Sequence, residues 1–317
     1  MRENEAVKFL KNVSGKVGIF FHDDADGVCS AALVLRFLRQ RKIKPVLGTG
    51  DIDEDAFKLF AQEPVDAAIF LDYALSQYPE FLGPWKGKPV LIVDHHPVIN
   101  DLNKLGFLFI NPRLDNKNVY ISASQIVQKI CKKAGLKDGE WIARIGAVGD
   151  KAMKGSRDEE TAAAMMDAVK AIEHEAGLVN LAGVIAGMEK MENLIYNTKY
   201  QKIYEKYKVE LERQVEKFKA VEQSSIVWYE VKSNYSITSS LATHLFDIYP
   251  DKTLLIYSCD NHWCKVAGRS NRFDIGNLFR IAVAGIGKGG GHPVAAGAKI
   301  PANKLETFRK NLTKLMK

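Results

Sequence analysis

Acidic and imidazole side chains directly follow three short apolar runs of the sequence. The residues after these runs are His22, Asp24 and Asp26 beyond Val17–Phe21, Asp72 beyond Ala67–Leu71, and Asp94, His95 and His96 beyond Val90–Val93. In an open parallel sheet, ligands bind beyond the carboxyl ends of the strands, so we expect these side chains at one site. Two carboxylates about 4 Å apart repel by roughly 4 kcal/mol at an effective dielectric of about 20, so such a cluster needs protons or cations. The histidines among the acids favour a divalent transition metal.

Each of these motifs alone has an ordinary structural explanation. Asp24 and Asp26 can cap the start of a helix, and Asp72 can cap a turn. Asp150 follows Gly149 and can close a helix that ends at glycine. Their occurrence together in one chain favours the metal site over separate caps.

The apolar runs belong to an alternation of strands and helices that is typical of repeated βαβ units and predicts a parallel sheet flanked by helices. The predicted strands are Lys16–Phe21, Lys44–Leu47, Ala67–Leu71, Pro89–Val93 and Phe107–Ile110. The predicted helices here are Glu5–Asn12, Val28–Gln40 and Glu54–Phe60, the last of which is preceded by acids that include Asp53. From Ser122 to Asn193 the pattern is almost wholly helical, with breaks expected at Gly177 and Asn180.

A long amphipathic pattern from Ile195 to Val221 predicts a connecting helix. Its lysines and tyrosines could line a path for a single-stranded nucleic acid. Its glutamates, however, favour an ordinary solvent-exposed helix face. Strand and helix patterns resume beyond it, at 225–231, 239–249, 253–257, 263–269 and 275–283. We therefore predict a first domain at 1–194, a connecting helix at 195–223 and a smaller mixed α/β domain at 224–317.

The composition is that of an ordinary globular protein. The 317 residues are 46% hydrophobic and 26% charged, and about 100 to 200 residues per domain suggests two domains. The net charge of +7 suits a phosphate-bearing partner and equally suits solubility alone. No apolar run reaches the roughly 18 residues of a membrane span, and the first residues do not resemble a secretory leader, so we expect a cytoplasmic protein without a membrane role.

The four cysteines show no framework spacing, which predicts a reduced protein. Cys259 and Cys264 flank His262, but the spacing and the lack of a fourth ligand argue against a zinc site and favour a turn.

As a set, the motifs resemble those of the DHH phosphoesterase superfamily. Its members include RecJ exonucleases, nanoRNases, cyclic-dinucleotide phosphodiesterases and manganese pyrophosphatases. The matching segments, in chain order, are His22-Asp23-Asp24-Ala25-Asp26-Gly27, Asp72, Asp94-His95-His96 and Gly146-Ala147-Val148-Gly149-Asp150. Many relatives have the first histidine four residues before the first aspartate, where this chain has Phe20; His22 has the closer spacing of archaeal-type relatives.

This resemblance implies a parallel-sheet DHH domain with a binuclear site, usually of two Mn²⁺ ions, with Mg²⁺ or Co²⁺ as substitutes. Asp72 would bridge the ions. Asp24 would hold one ion, and Asp26, His95 and Asp150 the other. His22 is expected as a further metal ligand. His96 would lie next to the scissile phosphate, and we expect Asp94 and His96 to be the catalytic residues.

The C-terminal segment resembles the DHH-associated domain with its GGGH signature. The residues that carry this resemblance, and the expected substrate contacts, are Arg269, Ser270, Gly289, Gly290, Gly291 and His292. Glycines let backbone N–H groups approach a phosphate closely, while an arginine can bind it in fork geometry. The second domain is therefore expected to hold the terminal nucleotide in a cleft against the first.

The resemblance predicts a RecJ-like exonuclease that hydrolyses single-stranded DNA or RNA by a metal-activated water. A nanoRNase or small-nucleotide phosphodiesterase acting on short oligonucleotides would use the same residues, and a catalytically silent replication or repair scaffold would keep the fold alone. Strand polarity, a homodimer, and repair or replication partners remain open.

Overall fold

The computed structural model describes residues 2–52, 54–220 and 224–316. Asp53, an acid expected before the third helix, and Val221, the expected end of the long helix, lie outside these ranges. The chain divides into two compact units, Met1–Tyr204 and Glu205–Lys317. No helix in the described ranges is long and apolar enough to cross a membrane.

A five-stranded parallel sheet forms the centre of the first unit. Its strands are β1 (Val17–His22), β2 (Val46–Gly50), β3 (Ala67–Leu71), β4 (Val90–Val93) and β5 (Leu108–Ile110), in the order β2-β1-β3-β4-β5. Phe21 is level with Leu71, Leu71 with Val93, and Val93 with Ile110. Because all strands are parallel and end in register, the residues that follow β1, β3 and β4 emerge at one edge. The predicted α/β architecture is confirmed, with strand ends shifted by a few residues at most.

Helices of the first unit flank the sheet. They are α1 (Glu3–Asn12), α2 (Ala25–Gln40), α3 (Glu54–Gln62), α4 (Ala123–Ala134), α5 (Glu140–Gly149), α6 (Arg157–Ile185) and α7 (Glu192–Ile195). The predicted breaks at Gly177 and Asn180 are wrong, since both residues lie within α6, which is kinked at His174 (φ 54°). A Cβ atom at Gly177 would lie 2.3 Å from the Cβ atom of Glu173. This glycine is therefore explained by close packing, not by a helix end.

Aromatic side chains hold β1 and β3 together from one side of the sheet. The ring of Phe20 lies 4.6 Å from that of Phe60 and 5.2 Å from that of Phe70, and Trp85 packs edge-on against Phe70 at 4.9 Å. Phe20, Phe70 and Trp85 are almost fully buried. Each such side chain contributes about 1.5–3 kcal/mol on burial, so the strands that carry the acidic ends are firmly packed.

The long helix is present as α8 (Thr198–Lys219) and crosses the division between the two units. Tyr200, Tyr207 and Phe218 form its buried stripe, as the spacing predicted. Because Tyr200 and Tyr207 are only 2% and 3% exposed, they cannot stack on nucleic-acid bases.

A second five-stranded sheet, of mixed direction, forms the second unit. Its strands are β6 (Ile226–Glu230), β7 (Thr253–Cys259), β8 (Trp263–Arg269), β9 (Lys288–His292) and β10 (Ala295–Pro301), in the order β6-β7-β8-β10-β9. Its helices are α9 (Thr238–Ile248), α10 (Ile275–Ala282) and α11 (Leu305–Leu315). The glycine run Gly289–Gly291 lies in the edge strand β9 and pairs with β10.

A disulfide joins Cys259 and Cys264, which face each other across the β7–β8 hairpin. The predicted turn is confirmed, but the prediction that all four cysteines are reduced is wrong for this pair, because the hairpin register brings the two side chains together. Cys29 and Cys131 are free and buried.

Candidate metal centre

The first acidic motif lies where β1 passes into α2. His22 is the last residue of β1, and Asp24 is the N-cap of α2, where its Oδ1 accepts a hydrogen bond from the Gly27 N–H at 2.9 Å. A Cβ atom at residue 27 would lie 2.2 Å from the His22 carbonyl oxygen, so this tight turn requires glycine. The other carboxylate oxygen of Asp24 lies 2.7 Å from His22 Nδ1.

Asp72 occupies the centre of the cluster. It follows β3 with a left-handed backbone (φ 64°), and its N–H donates to the Val93 carbonyl at 2.8 Å. The side chain is 1% exposed. Its Oδ1 lies 3.3 Å from His95 Nε2 and its Oδ2 lies 3.9 Å from His22 Nδ1. The two carboxylate oxygens therefore face two histidines, one at the end of β1 and one just after β4.

The Asp94-His95-His96 segment directly follows β4, and Asp94 forms hydrogen bonds with His96. The Asp94 Oδ1 accepts hydrogen bonds from the ring Nδ1 of His96 at 2.8 Å and from its backbone N–H at 3.2 Å. Asn111 donates to Asp94 Oδ2 at 3.4 Å and to the His96 carbonyl at 3.0 Å. Asp94 thus fixes the orientation of His96, while His95 is buried beside Asp72.

Asp26 and Asp150 complete the cluster from two helices. The Asp26 carboxylate accepts hydrogen bonds from the backbone N–H groups of Ala123 at 2.6 Å and Ser124 at 2.9 Å, at the start of α4. A helix N-terminus favours a carboxylate in this way. Asp150 caps the C-terminal end of α5, and its Oδ2 lies 3.7 Å from His95 Nδ1.

These side chains form three overlapping groups in which potential ligand atoms lie within 4.8 Å of one another. The groups are His22, Asp24 and Asp72; Asp26, His95 and Asp150; and Asp72, His95 and His96. Asp72 belongs to two of them. All six predicted metal ligands, which come from separate segments of the sequence, are therefore brought together at the carboxyl edge of the sheet.

The pKa values of these side chains show that the buried negative charge of the cluster is not fully compensated by positive charge. Burial, and then the charges of Asp26 and Asp24, raise the pKa of Asp150 to about 9. Burial and the neighbouring Asp24 likewise raise the pKa of Asp26 to about 6, and burial with four surrounding carboxylates raises that of Asp72 well above its usual value. Burial lowers the pKa of His22, but the Asp24 carboxylate outweighs it, and the net pKa is about 9.

This donor set fits divalent cations. Within the described ranges, Asp72 Oδ1 and Asp150 Oδ2 are buried and receive no hydrogen bond. Buried carboxylate oxygens are normally paired with donors or cations. Carboxylates mixed with imidazoles suit Mn²⁺ and similar ions. Divalent cations held by these side chains would pair both oxygens and compensate the buried negative charge, which raises the carboxyl pKa values first through burial and then through repulsion.

Three residues outside the predicted set support the cluster. Lys170 of α6 donates to Asp23 Oδ1 at 2.8 Å, and that oxygen lies 3.6 Å from His22 Nε2. The Tyr120 hydroxyl donates to the Asp150 carbonyl at 3.0 Å, with its ring edge-on to His95 at 5.6 Å. Lys170, Tyr120 and Asn111 lie outside the motifs in sequence, so no local spacing could identify them.

The substrate contacts expected in the second unit have different environments. Arg269 donates to Ser239 Oγ at 3.2 Å and to Thr243 Oγ1 at 2.9 Å, and burial lowers its pKa to about 10. Ser270 is fully buried, and its hydroxyl bonds Thr253 and accepts from the backbone N–H of Arg272 and Phe273. It therefore has no exposed surface to offer a substrate.

The glycines of β9 and His292 differ from Ser270. Gly289 and Gly290 are partly exposed, as is His292, and Gly291 is exposed. A Cβ atom at Gly291 would lie 2.4 Å from the Ala295 carbonyl oxygen, and the φ of 146° at this residue also favours glycine. The glycine run is thus required by the edge strand as well as being accessible.

Comparison with known proteins matches two family models to separate parts of the chain. The N-terminal domain of the DHH family matches residues 16–168, and the DHHA1 domain matches residues 222–317. None of the curated proteins is a significant sequence match.

Several solved structures share the fold. RecJ from Thermus thermophilus in complex with Mn²⁺ is 13% identical with a TM-score of 0.75, and the match covers 99% of this chain and 54% of RecJ. An exonuclease RecJ bound to manganese is 13% identical with a TM-score of 0.65, covering 98% of this chain and 93% of that one. CDC45 from Entamoeba histolytica is 12% identical with a TM-score of 0.54, covering 98% of each chain. This chain thus spans about half the length of the Thermus protein.

Proposed function

Since the chain belongs to the DHH superfamily and has a RecJ-like fold, we propose that it is a metal-dependent phosphodiesterase, an exonuclease that hydrolyses single-stranded DNA or RNA. The observation that carries this proposal is the position of Asp72, whose two carboxylate oxygens face the histidines of two ligand groups. Two ligand groups that share a carboxylate are close enough to suit a pair of metal ions, which is what a two-metal phosphodiesterase needs.

The proposed ligands divide into two sets around Asp72. His22 and Asp24 would hold one divalent cation, and Asp26, His95 and Asp150 the other. We propose Mn²⁺, the ion bound to two of the similar RecJ structures. When bound, such a pair of ions lowers the pKa of a water molecule and stabilises the charge that develops on the phosphate oxygens.

The protein's own residues would orient the reaction. Asp94 holds the Nδ1 side of His96, so the Nε2 side can donate a hydrogen bond to a phosphate oxygen beside the cluster. Tyr120 holds the backbone of Asp150, and Lys170 with Asp23 flanks the outer nitrogen of His22. A carboxylate next to the outer nitrogen of a ligating histidine fixes its tautomer and raises its basicity.

The test is hydrolysis of end-labelled single strands from two to 30 nucleotides by the purified protein with Mn²⁺. We expect stepwise release of mononucleotides from strands of all but the shortest lengths, and the labelled end identifies the polarity. Asp72→Asn should lower the rate at least about a hundredfold, because it removes the shared charge while asparagine tolerates the left-handed backbone. Asp138→Asn, in an exposed loop of the same unit, is the matched control and should retain full activity.

Other outcomes would favour the alternative functions. Turnover confined to strands of two to four nucleotides would replace the exonuclease by a nanoRNase or small-nucleotide phosphodiesterase. Absence of turnover on every strand, with the fold intact, would favour the silent scaffold. Equal activity of Asp72→Asn and the wild-type protein would remove Asp72 from the site.

A further inference from the structure

Three lysines lie side by side across the second sheet. Lys265 of β8 is in register with Lys299 of β10, and Lys299 is in register with Lys288 of β9. Residues paired across strands point to the same face, so the three side chains form one row. Lys265 and Lys288 are exposed and Lys299 is half-buried.

The next row on this face consists of the buried Ala267 of β8 and two glycines. Gly297 pairs with Gly290, and a Cβ atom added at either glycine would meet none of the described atoms within 4 Å. The row after that contains His292, paired with Ala295, and Arg269, also paired with Ala295. The two glycines therefore leave an uncovered stretch of backbone between the lysine row and the expected phosphate contacts.

An exposed tryptophan lies at the other end of the face. Trp263 is two residues before Lys265 on β8 and is 44% exposed. The ammonium group of Lys299 lies 5.4 Å from the centre of its ring. Aromatic rings beside a basic groove are the usual means of binding a single strand without sequence preference, since every base can stack.

The lysine row has an energetic consequence. Like charges directly opposite each other across strands destabilise a sheet, and here two such pairs share one lysine. A phosphate placed over the row would be attracted by these ammonium groups, of which that of Lys299 also lies over the Trp263 ring. The row therefore suits an anionic ligand.

We infer that this face of the second unit binds the backbone of a single-stranded nucleic acid beyond its terminal nucleotide, with an internal phosphate on the lysine row and a base on Trp263. The inference rests on the proposed function for the nature of the ligand. The lysine row lies four residues along the strands from Arg269 and His292, or about 13 Å. A stacked strand advances about 3.4 Å per nucleotide, so the row is reached about four nucleotides from the end.

The test compares the charge-removing double variant Lys265→Gln/Lys288→Gln with wild-type protein in EDTA. Binding of a labelled 12-nucleotide strand should weaken about tenfold, and the slope of log Kd against log salt should fall by up to about 0.7, the value for the single phosphate contact on the row. Binding of a dinucleotide, which is too short to reach the row, should be unchanged. Trp263→Ala should also weaken binding of the longer strand about tenfold.

The matched control is Lys310→Gln/Lys314→Gln, which removes the same charge from exposed positions of α11. This helix packs through Phe308 and Leu312 against the opposite face of the sheet. The control should retain the wild-type Kd and salt slope. An equal loss in the control, or an unchanged Kd and slope in Lys265→Gln/Lys288→Gln, would overturn the inference. Lysine-dependent binding without hydrolysis by the wild-type protein would support it while refuting the exonuclease function.

Discussion

Asp72 has the most restrictive backbone of the proposed ligands. Its φ of 64° lies in the left-handed region, which is rare for residues other than glycine, asparagine and aspartate. The surrounding strands hold it there through the hydrogen bond from its N–H to Val93. Such conformations are maintained at functional sites, and here it directs the carboxylate between His22 and His95.

The raised carboxyl pKa values predict how pH acts on the metal-free protein. Asp150 has a folded-state pKa of about 9 and Asp26 one of about 6, both above the unfolded value near 3.8. The folded state therefore holds these protons more tightly, and their stabilising contribution, complete below about pH 4, is lost as pH rises through 6 and 9. In EDTA, the free energy of unfolding should fall between pH 5 and 9, as urea titrations can measure.

Divalent ions should reverse this dependence. Since cations and protons compete for the same carboxylates, the stabilisation by Mn²⁺ should increase over the same pH range. Asp150→Asn should make this decline shallower between pH 5 and 9, and the decline that remains above pH 7 should come from His22, whose folded-state pKa is also about 9. A metal-free protein whose stability rises between pH 5 and 9 would show that the carboxyl groups are not protonated as described.

At the scale of elements, the site depends on close contacts between helices and strand ends. The start of α4 donates two hydrogen bonds to Asp26, and α5 packs against the same point through Gly146. A Cβ atom at Gly146 would lie 2.4 Å from Ser124 Oγ and 2.9 Å from Asp26 Oδ1. Helix α5 is thus placed so that Asp150, at its end, reaches His95.

Gly146→Ala should therefore disturb both packing and the metal centre. We expect a loss of about 1–3 kcal/mol in the free energy of unfolding, as for other overpacked cores, together with weaker Mn²⁺ binding. Gly183→Ala in α6 is the control, because the nearest atom to its added Cβ is Arg39 Nη2 at 3.7 Å. It should leave Mn²⁺ affinity unchanged and stabilise the protein by up to about 1 kcal/mol. Equal Mn²⁺ affinity in both variants would contradict the role of α5.

Sequence reasoning succeeds where a local pattern has one physical cause. Apolar runs that end in acids predicted the strands and hence the closeness of the side chains proposed as ligands, including His22. Sequence reasoning fails where the environment of a residue is determined by tertiary contacts. Gly177 is explained by contact with Glu173 rather than by a helix end, and Ser270 is buried by the turn that follows β8. The bonds of Lys170 and Asn111 to the site join distant segments, which no spacing along the chain reveals.

At the scale of the whole molecule, the motifs and the family models agree on a DHH domain followed by a DHHA1 domain, which confirms the family predicted from the sequence. Each unit has its own sheet and its own chemistry. The first gathers acids and histidines, whereas the second presents arginine, glycines, a lysine row and Trp263. We propose that the first unit carries out hydrolysis and that the second unit binds the longer strands more tightly than the short ones.

The most direct test of this account is the number of Mn²⁺ ions bound per chain, measured by equilibrium dialysis with metal analysis at pH 8. The wild-type protein should bind two ions, and Asp72→Asn should lose tight binding of both because the shared carboxylate is gone. The Asp138→Asn control should bind two. Binding of a single ion by the wild-type protein, or of two ions with unchanged affinity by Asp72→Asn, would contradict an Asp72-bridged two-metal centre.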